Sequence, residues 1–205
     1  MDKNVKEVYE KIAPKFNKTR FKVWKCVSEF LDNLDSNSSG LEIGCGNGKN
    51  MLYRQDLKMY GVDFCEKFVE ICKEKKLNVI NSDMRTLPFK DNLFDFTMSV
   101  AALHHLYLLE DRLDTIKEQI RVTKKDGLIF ILVWALSQDG SSQSTRFKNT
   151  DEMVSWKNND GTILYRYYHL YQSDELESEI NNFNNVEIIK SFYENGNYGV
   201  IIKKK

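Results

Sequence analysis

Between residues 38 and 135, short apolar runs alternate with segments of helical periodicity. That alternation restricts the fold more than any other feature of the chain. "SSGLEIG", "KMYGVDF", "LNVINSD", "LFDFTMSVAAL" and "GLIFILVWA" read as strands. Between them, "NGKNMLYRQD" opens a helix, and "CEKFVEICKEKK" sets Phe68, Val69 and Cys72 on one helical face. "LLEDRLDTIKEQIRVTK" repeats Leu109, Leu113, Ile116 and Ile120 at helical spacing. Near-continuous apolar strands are buried on both faces, so the pattern predicts an α/β fold with a mostly parallel, doubly wound sheet. A helix in "SDELESEINNF", N-capped by Ser173, and two strands, "VEIIKSF" and "YGVIIKK", close the chain. The short "YENGN" between those strands has hairpin length, which makes the last strand antiparallel. Ahead of the sheet, residues 3–13 and 20–34 read as helices broken near Pro14.

This organisation predicts a single domain over 1–205. It comprises a helical arm (1–37), a ligand-binding core (38–136), an insertion or lid (137–172), and a terminal helix with two strands (173–205). Residues 137–161 read as a long polar loop, a kind that is usually a functional lid or disordered. The longest apolar run, Leu128 to Leu136, is too short to span a bilayer, and the charged N-terminus has no signal-type apolar core. A cytoplasmic protein without a membrane partner is expected, with the nucleus as the alternative compartment. Cys26, Cys45, Cys65 and Cys72 form no CxxC pair and no zinc-type cluster, so reduced thiols and no metal are expected. The 30 basic and 30 acidic residues cancel, which removes any bulk attraction to nucleic acid. A local patch remains: Lys11, Lys15, Lys18, Arg20, Lys22 and Lys25 alternate with Phe16, Phe21 and Trp24. Such a patch suits phosphates and unpaired bases, and equally suits an amphipathic helix with a solvated face.

The first strand runs into "LEIGCGNGKN". Three glycines in five residues carry an entropic penalty and need a reason. A dinucleotide turn reads G-x-G-x-x-G, whereas here the third glycine comes one residue early and Lys49 stands in its place. An aminoacyl ligand without phosphate fits better. Glu42 at the strand end can meet its ammonium group, and Gly44, Gly46 and Gly48, with Cys45 among them, admit the backbone to its carboxylate and ribose. Asp63, about 20 residues on at the end of the next strand, stands where an acid binds ribose hydroxyls. Asp83 and Met84 follow the third strand, where an adenine would be hydrogen-bonded and sandwiched against Phe64. Val100, at the end of the fourth strand, is expected at the same site. These positions lie at the carboxyl ends of adjacent parallel strands, where such sheets bind ligands.

The ordered set Gly44/Gly46/Gly48, Asp63 and Asp83 resembles class I S-adenosylmethionine-dependent methyltransferases. The resemblance implies a seven-stranded Rossmann-like sheet and S-adenosyl-L-methionine as cofactor. "KKDG" (124–127) departs from the K-P-G-G of many members. Outside the core, "YEKIAPKFNKTRFKVW", "SVAALHHL", "ILVWAL", "DEMVSWK" and "RYYHLY" resemble the tRNA wobble-uridine methyltransferases that esterify 5-carboxymethyluridine in the anticodon loop. Val154-Ser155-Trp156-Lys157 stands where members read V-P-W-K. A carboxylate acceptor is already ionised at neutral pH and needs orientation more than a base. Arg20 and Arg166 are the candidate forks for it. His104 and His169 are candidate hydrogen-bond donors, and Trp134 and Tyr168 candidate stacking walls. The alternatives are a phosphate contact for Arg20, a loop-capping role for His104 or His105, and packing on a core strand or helix for Tyr165, Tyr167, Tyr168 and Tyr171. The resemblance also implies a partner: a small zinc-binding activator forming a heterodimer on the edge strand near Leu77-Ser82. A small-molecule methyltransferase acting on a quinone, phenol or free acid is the competing activity. A catalytically silent scaffold is the third reading, opposed by the intact cofactor set.

Overall fold

The computed structural model describes residues 3–141, 147–158 and 160–205. Helices α1 (Lys3–Thr19) and α2 (Lys25–Asp32) precede β1 (Ser39–Ile43) and β2 (Lys58–Asp63). Next come α3 (Glu66–Glu74), β3 (Asn78–Asn81), β4 (Phe94–Val100), a 3-10 turn (Leu103–His105), α4 (Leu109–Val122) and β5 (Thr123–Trp134). The chain closes with β6 (Asp151–Lys157), β7 (Ile163–His169), α5 (Glu175–Ile180), β8 (Val186–Glu194) and β9 (Asn197–Lys204).

Seven strands form one sheet in the order β3-β2-β1-β4-β5-β9-β8. β1 to β5 pair in parallel, and β9 runs antiparallel between β5 and β8. The strand order reverses between β1 and β4, which opens a crevice at their carboxyl ends. The continuous apolar run of β5 is explained by its two faces. Ile129, Ile131 and Val133 face one core with Ile116 and Ile120 of α4 and Leu176 and Ile180 of α5. Phe130 and Leu132 face the other with Val27, Phe30 and Leu31 of α2 and Val69 and Cys72 of α3. All four cysteines are free and buried.

Five local expectations are corrected. α1 runs through Pro14 to Thr19, because its apolar stripe of Val5, Val8, Ile12 and Ala13 is buried against α3 and the β6–β7 hairpin. The second helix begins only at Lys25, leaving 20–24 extended. No regular helix follows the glycines: the segment after Gly48 runs through turns, in which Asn50 and Arg54 spend their side chains on Glu42 and on the Leu31 and Leu34 carbonyls. Ser173 does not cap α5. Asp174 holds that place at φ +64°, and the Ser173 hydroxyl donates to the Asp174 carboxylate at 3.1 Å. Within 137–161, β6 occupies 151–157 and pairs with β7 from Asp151↔His169 to Lys157↔Ile163, so a hairpin stands where a loop was expected. Residues 142–146 and 159 of that stretch lie outside the described residues.

α1 is fixed at two places. Glu10 accepts the N–H groups of Glu66 and Lys67 at 2.7 and 3.1 Å, so its carboxylate caps α3 from another element. At its far end Phe16 stacks on Trp156 of β6, with centroids 6.1 Å apart. The arm and the hairpin thereby roof the crevice.

Candidate active site

Under that roof lies a cavity of about 170 Å³. It is small beside the roughly 300–1,000 Å³ of typical ligand sites. Arg20, Glu42, Gly44, Cys45, Gly46, Asp63, Phe64, Met84, Val100, His104, Trp134 and Arg166 all line it. Three expected residues do not: Gly48, Asp83 and His169.

The glycines divide the work. Gly44 sits at φ +72°, and a Cβ there would lie 2.4 Å from the Ala102 Cβ. Gly48, also at φ +72°, would strike Leu77 at 2.4 Å, so it serves packing behind the loop. Gly46, at φ +52°, has no atom nearer than Phe16 at 4.0 Å, and a side chain there would fill ligand space. The loop is held by Asp63, whose Oδ2 accepts the Gly46 N–H at 2.8 Å and whose Oδ1 accepts the Cys65 N–H at 2.9 Å. Burial pushes the Asp63 carboxyl up to about 6 against those two bonds. Each oxygen keeps a lone pair for a further donor.

Glu42 is buried, and its Oε1 accepts the Asn50 amide at 2.6 Å while Oε2 meets no donor. Burial raises its carboxyl to about 8, against the lowering effect of the Asn50 bond. An orphaned buried carboxylate oxygen beside a glycine cradle fits a cationic aminoacyl group. Asp83 is turned away. Its carboxylate takes the Arg85 N–H at 2.9 Å and the Arg85 guanidinium at 3.0 and 2.6 Å. Burial would raise its carboxyl, but Arg85 outweighs this and holds it low. Of that pair, Met84 faces the ligand space.

The other half of the cavity is aromatic and cationic. Arg166 is buried, and its guanidinium carbon lies 5.5, 5.3 and 5.2 Å from the rings of Tyr9, Trp156 and Tyr168. No carboxylate among the described residues reaches it within ion-pair distance, and its Nε has no partner. Arg20 approaches the same Trp156 ring at 5.4 Å. The hydrogen-bond directions follow from chemistry. The Tyr167 carbonyl can only accept, so His105 Nδ1 donates to it at 2.9 Å. Burial holds the His105 ring neutral, with its pKa at about 3, which leaves Nε2 to accept the Tyr9 hydroxyl at 2.8 Å. The Tyr9 oxygen in turn accepts from Arg166 Nη1 at 3.3 Å. On His104, Nδ1 accepts the Trp134 N–H at 3.3 Å, and burial keeps the ring neutral. Its proton therefore sits on Nε2, which is buried without a partner. His104 is stacked on Tyr168 at 4.6 Å, and Trp134 lies 4.9 Å from the same ring.

His169 stands outside the cavity. Its Nε2 pairs with Glu175 at 2.6 Å and its Nδ1 with Asp151 at 3.3 Å, tying the hairpin to α5. Burial disfavours its protonation, but the Glu175 and Asp151 carboxylates prevail and raise its pKa. Tyr9, Asn50 and His105 were not assigned to the site from sequence. Tyr9 falls on the apolar face of α1 and reads there as core. Asn50 was hidden by the expectation of a helix. Trp156 lay in a noted stretch without a role.

Residues 41–131 match the methyltransferase domain family. The chain is 34% identical to the tRNA (carboxymethyluridine(34)-5-O)-methyltransferase of Schizosaccharomyces pombe, over 98% of this chain and 96% of that protein. It is 28% identical to the enzyme of the same description from Xenopus tropicalis, where it spans 98% of this chain but only 40% of the relative. Among solved structures, a methyltransferase in complex with the Haloferax volcanii Trm112 methyltransferase activator superposes with a TM-score of 0.71 at 14% identity, over 98% of this chain and 97% of that one. An S-adenosylmethionine-dependent methyltransferase from Clostridium acetobutylicum does so with a TM-score of 0.69 at 12% identity, over 96% and 99%.

Proposed function

The chain belongs to the tRNA (carboxymethyluridine(34)-5-O)-methyltransferase family, and from that premise we propose that it methyl-esterifies the carboxylate of 5-carboxymethyluridine at the wobble position of tRNA. The observation that carries this reading is Arg166: a permanently charged fork, buried among three rings, with no carboxylate of the described residues within ion-pair distance. A buried cation without a counter-ion is costly unless a ligand supplies one.

When bound, S-adenosylmethionine would supply a methyl group on a cationic sulfur, with the neutral thioether as the leaving group when a carboxylate oxygen takes the methyl. Glu42 meets the ammonium group and ionises in doing so. Gly46 leaves room along the backbone, and Asp63 receives hydroxyl donors. Arg166 holds the acceptor carboxylate bidentately, with Tyr9 and His105 fixing the guanidinium plane through the directed chain of hydrogen bonds. His104 offers its Nε2–H as a neutral donor that neither takes nor gives a proton. Tyr168 and Trp134 offer faces for the uracil ring. Phe16 and Trp156 exclude water once the arm closes. No proton is transferred, so no general base is called for.

The test is transfer from labelled cofactor to tRNA carrying carboxymethyluridine. The label should be released by mild alkali, as an ester requires, and the single-turnover rate should be flat from neutral to mildly alkaline pH. Alkali-stable label, or a rate rising log-linearly with pH, would refute a carboxylate acceptor.

A partner belongs to the same proposal: a small zinc-binding activator that adds a strand to the sheet edge. In support, β3 is one of the two edge strands of the main sheet, and Ile80 on it is 43% exposed. Val79 is buried in the core under α3, so a lysine there would damage the fold itself, and Ile80→Lys is the cleaner probe. Co-expression with the activator should improve solubility and cofactor binding, and Ile80→Lys should abolish both gains. A chain fully active on tRNA without any partner would overturn this part.

A further inference from the structure

A second cavity, of about 500 Å³, lies beside the first. Among the described residues Trp24, Lys25, Trp134, Gln138, Glu194 and Asn197 line it. Trp24 and Trp134 also line the first cavity, so two indoles form the partition. The chain has 3 tryptophans, and the remaining one, Trp156, lines the first cavity too. A partition of indoles offers stacking faces to both spaces.

The polar groups of the second cavity ask for a donor. Asn197 Nδ2 donates to the carbonyls of Glu194 and Asn195 at 3.1 and 3.2 Å. Carbonyls only accept, so the amide cannot be turned round, and its buried Oδ1 meets no donor. Glu194 adds a carboxylate to the same cavity, with Oε2 accepting the Cys26 N–H at 3.2 Å. Gln138, by contrast, is satisfied. Its amide donates to the Ala135 and Gly196 carbonyls at 2.6 and 3.0 Å and accepts the Ser141 hydroxyl at 3.2 Å, so it serves as wall. Lys25 stands at the rim, 78% exposed and only loosely paired with Glu29 at 3.5 Å. The matching ligand is a planar aromatic ring with an N–H on its edge and an anionic link outside. Nucleobases carry amino or imino N–H groups on their pairing edges, and a phosphate joins each to the next nucleotide.

We propose that this cavity receives the base of the nucleotide adjacent, in the same strand, to the one whose carboxylate sits at Arg166. The inference rests on the RNA reading above and adds a specificity-determining subsite to it. Two successive bases would lie on either side of the indole partition, an arrangement open only to unpaired nucleotides.

Intrinsic tryptophan fluorescence of the full chain reports on both cavities without requiring methyl transfer. The probes are trinucleotides with 5-carboxymethyluridine at the centre and an abasic residue on one side or the other. Removing one of the two flanking bases should weaken binding about tenfold, as loss of a stacked base does, and removing the other should matter far less. Asn197→Leu should bind the complete trinucleotide about as weakly as the wild-type protein binds the sensitive abasic one, with no further loss from the abasic change. Wild-type affinity indifferent to both abasic changes overturns the proposal whether or not the variant folds, and so does an undiminished abasic effect in a folded Asn197→Leu. Plain uridine at the centre tests the carboxylate reading separately. If its loss of affinity appears without any flanking effect, only the subsite falls. If the flanking effect appears alone, the subsite stands and the carboxylate reading falls.

Discussion

Replacing Arg166 separates catalysis from stability. A carboxylate held bidentately receives two charge-assisted hydrogen bonds. Arg166→Lys keeps the charge and one of them, so the loss is about 1.5–3 kcal/mol, or roughly 10- to 160-fold in kcat/KM. Arg166→Met removes the charge as well and should abolish measurable transfer. Stability should behave differently. In the free protein the guanidinium is held by three ring contacts at 5.2–5.5 Å and by hydrogen bonding to the hydroxyls of Tyr9, at 3.3 Å, and Tyr168. Such contacts contribute at most about 2 kcal/mol each, against a desolvation penalty of several kcal/mol for an unpaired buried ion. The two nearly cancel, so Arg166→Met should melt within about 4 °C of the parent or above it. Single-turnover kinetics on an anticodon stem-loop carrying carboxymethyluridine, with thermal melts of the same preparations, measure both quantities. Full activity in Arg166→Lys would refute the fork. A fall in melting temperature of more than about 10 °C in Arg166→Met would show that the residue serves the fold instead.

Glu42, raised to about 8, is mostly protonated at pH 7, so cofactor binding should release a proton. The calorimetric enthalpy should therefore depend on the buffer's ionisation heat, and Glu42→Gln should remove that dependence. Because the folded value exceeds the ordinary 4.5, the linked stability is present below pH 4.5 and is lost as pH rises to about 8. The free protein should accordingly melt lower at pH 8 than at pH 5, and less so in Glu42→Gln. Asp63→Ala frees the N–H groups of Gly46 and Cys65, so calorimetry should show cofactor binding weaker by about 1.5–3 kcal/mol together with a lower melting temperature. Unchanged affinity would remove Asp63 from the site. Gly44→Ala meets both the φ of +72° and the 2.4 Å approach to Ala102, and equilibrium dialysis should find cofactor binding lost; normal binding would mean the loop is not needed in this form.

The sheet was legible because β5 is apolar at every position that two buried faces demand, and because the "YENGN" link is too short for anything but a hairpin. What escaped was structure set by partners distant in sequence. Pro14 ordinarily breaks a helix, yet burial of Val8, Ile12 and Ala13 carries α1 past it. The turns after Gly48 win over helical propensity because Asn50 and Arg54 find tertiary acceptors. Gly44 and Gly46 were legible because their positive φ dictates their type, and both line the cavity with Asp63. Asp83 is not among the residues lining the cavity, and its carboxylate is held by Arg85, two residues on. His169 carries the same side chain as His104, and only the proximity of Glu175 and Asp151 assigns it to a strut. Tyr9 had no signal: an aromatic on an amphipathic helix reads as core whether or not its hydroxyl has work to do.

The roof over the cavity also dictates when the enzyme can come into being. Tyr9 and Arg166 are 157 positions apart, and Lys15 holds the Lys157 carbonyl across 142. During synthesis the arm can dock on α3 early, through Glu10 and its apolar stripe, but its contacts with the hairpin wait until β6 and β7 follow, long after β1 to β5 have found one another. The pocket under the hairpin is therefore completed only after β1 to β5, and its contacts carry a large loop-closure penalty. Regions of this kind open without global unfolding. Releasing the arm removes Tyr9 and Phe16 from the pocket yet leaves the parallel sheet paired, so this molecule can be inactive while still fully folded at its centre.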